Sequence, residues 1–203
     1  MLFRSITVTL LGVPASVVPA GDTPTVPYVL YANSIEPHKN PRLAVDAIGR
    51  TVPGIRLVMT GGWSRRRLDR LRAHAAAQGA GGRIDWLGHV PAARLAALRR
   101  DALACLVPSR IEGFGLPVLE ALAAGTPVVA SDIPALRESG GDAATYRHPD
   151  DPDAWARAIE HLANHPEERA GIAERGRAHA AGFTWERTAR LTLDAWAAAL
   201  ARA

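Results

Sequence analysis

Cysteine occurs once in this sequence, as Cys105 within the apolar run Leu103-Ala104-Cys105-Leu106-Val107, so the chain can form neither an internal disulfide nor a cysteine zinc site. A reducing, cytoplasmic compartment is the expectation. Lysine is equally scarce: all but one of the 24 basic residues are arginine, and the exception is Lys39. Aromatic residues amount to 5%, and none interleaves with the arginine cluster Arg65, Arg66, Arg67, Arg70 and Arg72 as a nucleic-acid-stacking surface requires. That cluster, alternating with Leu68 and Leu71, reads as the solvated face of a helix, and no nucleic-acid partner is expected. No apolar run approaches the roughly 20 residues of a membrane-spanning helix, so contact with a membrane is expected to be at most peripheral, at its inner face. The run Ile6-Thr7-Val8-Thr9-Leu10-Leu11 after Arg4 imitates a secretory signal, but Pro14 and Pro19 interrupt it, and residues 1–27 are read as a connector.

What the chain does contain is 203 residues with 48% hydrophobic side chains, enough to bury one continuous core. The net charge of +4 comes almost wholly from arginine, which together with alanine is abundant throughout and reads as compositional bias. From Tyr28 onward, short apolar or β-branched runs alternate with helix-length amphipathic segments, the pattern of a parallel sheet covered on both faces. Strands are predicted at Tyr28 to Asn33, Ile55 to Thr60, Arg83 to Leu87, Leu103 to Val107, Pro127 to Ser131 and Ala143 to Tyr146. Helices are predicted near Pro41 to Thr51, Arg65 to Gln78, Ala92 to Asp101 and Leu116 to Ala124. Residues 28–150 thus read as a doubly wound α/β domain. Residues 151–203 read as an extension of three helices packing on it, opened by Asp151, the Asn164-His165-Pro166 break and Thr184.

In such a sheet, ligands bind beyond the carboxyl ends of the strands. The loop after Val107 carries Glu112, then Gly113-Phe114-Gly115, then a helix with Leu116 and Pro117 at its opening. Glycines let the backbone turn sharply, and the uncapped N–H groups and positive dipole end of the helix suit a diphosphate. Glu120, read as lying on the first turn of that helix, can accept hydrogen bonds from vicinal hydroxyls such as those of a ribose. Glu112 is placed to approach the ligand from the other side.

The segment from Glu112-Gly113-Phe114-Gly115-Leu116-Pro117-Val118-Leu119-Glu120 to Asp132 resembles glycosyltransferase family four of the GT-B fold. The resemblance extends to Ser34-Ile35-Glu36-Pro37-His38-Lys39-Asn40, Ile84-Asp85-Trp86-Leu87-Gly88-His89-Val90, Gly141-Asp142-Ala143-Ala144 and Phe183-Thr184-Trp185-Glu186-Arg187-Thr188. It implies a Rossmann-like, C-terminal, nucleotide-sugar-binding half of a GT-B enzyme. By resemblance, Lys39 neutralises a pyrophosphate and Glu112 contacts hydroxyls of the donor sugar. The backbone at Gly113, Phe114, Gly115 and Leu116 meets sugar and phosphate, Glu120 binds the ribose, and Gly88, His89 and Val90 lie against the nucleobase. The implied reaction is retaining hexosyl transfer from a nucleoside diphosphate sugar to a glycan or lipid-linked acceptor, with no metal and no cofactor. Ser34 and His38 stand where many relatives carry arginine, and Arg110 or Arg42 are the residues available to supply the missing charge.

Leu11-Gly12-Val13-Pro14 and Val17 to Asp22 resemble the linker that leads into this half from an acceptor domain. That implies a preceding domain and a terminal helix whose apolar face needs a cover: an acceptor-domain partner chain or a homo-oligomer. A non-catalytic, truncated nucleotide-sugar-binding module is the alternative expectation. Asp151-Pro152-Asp153 reads as helix capping, and His161 with His165 suggests no third metal ligand. Gly61-Gly62 lacks the Gly-x-Gly-x-x-Gly pattern of a dinucleotide site, and Ser109 lacks a nucleophile elbow.

Overall fold

A computed structural model describes residues 24–201 of the chain. The expected connector over residues 1–27 falls mostly on residues 1–23, outside those described. Six parallel strands form one sheet: β1 (Tyr28–Ala32), β2 (Arg56–Thr60), β3 (Ile84–Gly88), β4 (Ala104–Val107), β5 (Val128–Ser131) and β6 (Thr145–Arg147), in the order β3-β2-β1-β4-β5-β6. Between them run α1 (Pro41–Arg50), α2 (Arg65–Ala77), α3 (Ala92–Asp101), α4 (Leu116–Ala123) and α5 (Pro134–Gly140). The chain closes with α6 (Pro152–Asn164), α7 (Pro166–Ala180) and α8 (Trp185–Leu200).

The inner strands β1, β2, β4 and β5 are almost continuously apolar because helices cover both faces. Along β1 and β2, Val29, Tyr31, Leu57 and Met59 point to one side, against Leu43 and Ile48 of α1 and Trp155 and Ile159 of α6. Tyr28, Leu30 and Val58 point to the other, against Leu98 of α3 and Val118 and Leu122 of α4. This period of two, with every one of these side chains buried, is why the expected strands coincide with the observed ones to within two residues. Trp155 is fully buried, and its indole N–H donates to the carbonyl of His148 at 3.0 Å, which anchors α6.

α5 was not anticipated. It is seven residues long, its N-cap residue Ile133 offers no side-chain hydrogen bond, and only Pro134 at the first position marks its start. The capping signals further on do operate. Asp151 accepts from the N–H of Ala154 at 2.9 Å and Thr184 from that of Arg187 at 3.1 Å. α8 buries none of its residues and exposes Trp185, Leu193, Trp196 and Leu200.

Candidate functional site

Strand order sets the site before any side chain does. β1 and β4 are neighbours, but the chain leaves β1 for α1 on one face and leaves β4 for α4 on the other. The two following loops therefore diverge and open a crevice at the carboxyl ends. They are stitched together by one backbone bond, the N–H of Arg110 donating to the carbonyl of His38 at 2.8 Å.

The loop after β1 passes through a single 3₁₀ turn, Pro37–Lys39. Asn40 ends that turn in the left-handed region at φ 51°, the only non-glycine residue with positive φ among those described. Asparagine tolerates this conformation better than most residues, and its side-chain amide is held by the carbonyl of Pro149 at 2.8 Å. From this turn the Lys39 ammonium reaches Glu112, with Nζ 2.7 Å from Oε1. Ser109 Oγ donates to the same carboxylate oxygen at 2.8 Å. The pair is nearly enclosed, with the Lys39 side chain 17% and the Glu112 side chain 8% exposed. Beneath it the Tyr31 hydroxyl donates to the carbonyl of Ser34. Burial, and secondarily the charge of Glu112, hold the Tyr31 phenol above its ordinary pKa, so it stays a protonated donor. Sequence reasoning missed Tyr31, Asn40 and the contact of Ser109 with Glu112. Only the three-residue spacing of Ser109 and Glu112 hints at the latter.

Gly115 is where the chain turns into α4, at φ +99°. A side chain there would be strained and would meet Ser139 Oγ at 2.5 Å and Leu136 Cδ2 at 2.8 Å. α4 opens without a side-chain cap, and the N–H groups of Gly113, Phe114 and Gly115 meet no acceptor among the described residues. Gly113 is exposed, and Leu116 is half-buried at the first helical position. Phe114 lies with its ring centroid 6.2 Å from that of Phe183, tying the glycine turn to the C-terminal helices.

Two expected placements need correction. Glu120 is the fifth residue of α4, and no acidic residue lies in its first turn, so the helix dipole does not account for its position. Its partner is instead Arg99 at the end of α3, with Nη2 2.7 Å from Oε2, a contact across elements that no local pattern announces. Arg110 pairs with Asp150, and both Arg110 and Arg42 line a cavity that includes neither Lys39 nor Glu112. Neither guanidinium makes an ion pair with Glu112 or a hydrogen bond to Lys39 among the described residues.

The remaining expected residues spread along the same edge. His38 is exposed and presents its carbonyl to Arg110, and Ser34 presents its own to Tyr31. Gly88 ends β3 and accepts the Gly61 N–H at 2.9 Å, and His89 is exposed. The Val90 side chain belongs to the core, 7% exposed, which leaves only its backbone for a ligand. A Cβ at Gly61 would lie 2.2 Å from the carbonyl oxygen of Asn33, so tight packing of the loops after β1 and β2 accounts for that glycine. The crevice between β1 and β4 beside Asn33, Arg99 and Pro117 encloses about 10 Å³, room for roughly one water.

Elsewhere, Asp153 pairs with Arg50 at 3.0 Å, which occupies the Asp-x-Asp segment in capping and packing. The structure does supply a third group beside His161 and His165: Glu168, whose carboxylate lies 2.8 Å from His161 Nε2. All three are exposed at the α6–α7 junction.

A six-stranded parallel sheet flanked by helices, with a helical C-terminal extension and polar and charged groups gathered at its switch point, defines a Rossmann-like α/β domain. The family model of the glycosyl transferases group 1 matches residues 20–179, and the chain belongs to that family. Among curated relatives, a D-inositol 3-phosphate glycosyltransferase of Nocardia farcinica is 37% identical over 191 residues, 89% of this chain and 42% of the relative. Among solved structures, sucrose-phosphate synthase from Thermosynechococcus elongatus is 27% identical and superposes with a TM-score of 0.79 over 88% of this chain and 47% of that one. HepE from Anabaena, in complex with UDP and glucose, shares the fold at 20% identity and a TM-score of 0.78, over 84% of this chain and 48% of that one. The chain thus spans less than half the length of these relatives. No helix among the described residues is long and apolar enough to cross a membrane.

Proposed function

We propose that the chain is the donor-binding, C-terminal half of a family-four GT-B glycosyltransferase that moves a hexose, with retention, from a nucleoside diphosphate sugar to a glycan or lipid-linked acceptor. The observation that carries this reading is the meeting of Lys39, Glu112 and Ser109 at the β1/β4 switch point, beside the uncapped opening of α4. Departure of a nucleoside diphosphate concentrates negative charge on the leaving oxygens. A helix N-terminus already in place, and the ammonium once it exchanges Glu112 for the diphosphate, stabilise that charge. Glu112 binds donor-sugar hydroxyls, Glu120 binds the ribose, and the backbone of Gly113 to Leu116 meets the phosphates. Gly88, His89 and the Val90 backbone line the base. Displacement from the face the donor leaves requires no protein nucleophile, and Lys39 supplies the charge stabilisation that a metal gives in other enzymes, with no cofactor beyond the donor.

In this reading residues 28–150 form the donor domain and residues 151–203 its extension. A further domain or partner chain supplies the acceptor contacts and covers Trp185, Leu193, Trp196 and Leu200. The apolar side chains exposed on α8 support a cleft completed from outside. The same feature favours the second reading, a module that binds nucleotide sugars without transferring them.

Calorimetric titration with a panel of nucleotide sugars, followed by a transfer assay with and without cell extract, separates the two. Binding with transfer supports the enzyme, binding without transfer in both assays selects the module, and absence of binding to every nucleotide sugar rejects both. For the exposed helix face, Leu193→Glu with Trp196→Glu is expected to reduce self-association in light scattering. A native chain that is already a monodisperse monomer would show that this face needs no cover.

A further inference from the structure

The arginines read at first as an ordinary solvated helix face meet two others in space. Arg67 and Arg70, three residues apart on one side of α2, face Arg42 at the start of α1 and Arg110 from the loop after β4. The four surround a cavity of about 390 Å³ whose apolar wall includes Ile35 and Leu71. Two of the guanidinium charges are matched, Arg67 by Glu36 at 2.6 Å and Arg110 by Asp150. Arg42 and Arg70 meet no carboxylate among the described residues. The N-terminus of the ten-residue α1 opens at the same cavity through Asn40 and Pro41, again with no side-chain cap. Its dipole adds positive potential to that of the unmatched guanidiniums.

Like charges from three separate segments repel, and an open surface would let their flexible side chains spread into solvent. Here they line one concavity, so the unmatched charge is focused into it. We propose that this cavity is a second anion site, separate from the donor crevice, that takes a phosphorylated small molecule of about sugar-phosphate size. Planar guanidinium forks match phosphoryl oxygens in paired hydrogen bonds, and the cavity volume lies in the range of small-ligand clefts, several times what a bare phosphate fills. The apolar wall accommodates the carbon skeleton. The same phosphoryl chemistry is offered by a lipid headgroup at a membrane surface, so the test carries both sources.

The experiment titrates the full chain with glucose 6-phosphate, and separately with phosphatidylglycerol or phosphatidylcholine vesicles, for the native sequence, the Arg42→Ala/Arg70→Ala double variant and Lys39→Ala. Circular dichroism checks that each variant is folded, and both arginines are exposed, so folding is expected to survive. Saturable glucose 6-phosphate binding that weakens at least tenfold in the double variant, and less than twofold in Lys39→Ala, supports the site. If only phosphatidylglycerol vesicles bind, with the same dependence on Arg42 and Arg70, the site stands and its ligand is a headgroup. The proposal is overturned if neither probe binds, if the double variant binds as tightly as the native chain, or if Lys39→Ala alone abolishes binding. UDP binding, followed in the same variants, is expected to depend on Lys39 and not on Arg42 or Arg70. Loss of one activity without the other therefore shows which of the two sites has failed.

Discussion

The Lys39 ammonium is paired with Glu112, so in the proposed reading a diphosphate has to displace a carboxylate before it can take the cation. Glu112→Gln keeps the shape of the side chain and an acceptor for Ser109 while removing the competing charge. Two unit charges about 4 Å apart attract by roughly 4 kcal/mol at an effective dielectric constant of about 20. Fully exposed pairs are worth about 0–1 kcal/mol net. The Lys39–Glu112 pair, 17% and 8% exposed at 2.7 Å, lies between these limits, so its release is worth on the order of 1–2 kcal/mol. Converted to affinity, UDP is expected to bind Glu112→Gln about five- to thirtyfold more tightly than the native chain. Lys39→Ala should weaken UDP by at least a comparable factor, and adding Glu112→Gln to that background should change little, because the carboxylate acts chiefly by occupying Lys39. Isothermal calorimetry at fixed ionic strength measures all four corners of this cycle. The advantage of UDP-glucose over UDP should narrow in Glu112→Gln, since the proposed function has that carboxylate meet the sugar hydroxyls. If Glu112→Gln leaves UDP affinity unchanged or lowers it, the pair is not a competitor of the diphosphate, and the argument from its geometry fails.

Three further outcomes can be measured. Gly115→Ala places a Cβ on a backbone at φ +99° and within 2.8 Å of both Ser139 Oγ and Leu136 Cδ2. Left-handed strain and overpacking together are expected to destabilise the fold by about 2–5 kcal/mol in urea denaturation. Adding Ser139→Gly should recover only part, and a loss under about 0.5 kcal/mol would contradict the geometry. Arg99→Ala frees Glu120 from its only salt-bridge partner among the described residues. Affinity for UDP should fall by roughly three- to tenfold, about 1 kcal/mol, and the preference for UDP over its 2′-deoxy analogue should shrink with it. An unchanged preference would separate Glu120 from the ribose. Burial pushes the Cys105 thiol from its ordinary value of 9.0 up to about 12 and the Tyr146 phenol from 10.0 up to about 12, while Tyr28 and Tyr31 are also raised. A raised folded-state value means these groups ionise first in the unfolded chain, so stability is intact below about pH 9 and falls as pH rises toward 12. Cys105→Ala should flatten that fall by about 1.4 kcal/mol per pH unit between those limits, and an identical slope in the variant would exclude the thiol as its source.

The parts of this molecule that were legible in its sequence are those that repeat with a period or stop at a chemical signal. The inner strands are runs whose side chains find cover on one face or the other, as Val29 and Leu30 do on opposite sides of β1, while the edge strands β3 and β6 are half-buried. α6 and α8 begin just after Asp151 and Thr184 because each of these cap side chains satisfies a backbone N–H. α5 has neither a long amphipathic stripe nor a capping group, so only Pro134 could have marked it. Lys39 and Glu112 were legible for a different reason, since each belongs to a segment that resembles a known family. That they touch was not legible, because 73 residues separate them and no periodicity spans that distance.

Which loops share an edge is a property of strand order, and strand order explains which site residues could be read and which could not. The loops after β1 and β4 supply Lys39, Ser109, Glu112 and the glycine turn because those two strands are neighbours whose chains depart to opposite faces. Residues on these loops carry their own motifs. Arg99 comes to Glu120 from the end of α3, and Tyr31 lies inside β1, where it looks like any other core aromatic. The same logic assembles the arginine cavity. Arg42 begins the helix after β1, Arg67 and Arg70 lie on the helix after β2, and Arg110 follows β4, so the three segments follow three adjacent strands of the sheet. Their guanidiniums converge because β2, β1 and β4 are consecutive in the order, a relation that a linear reading of scattered arginines cannot express. A single edge of one sheet thereby carries two positively charged features. One is neutralised internally by Glu112, and the other retains unmatched charge at Arg42 and Arg70, so an anion meets no competing carboxylate at those two guanidiniums among the described residues.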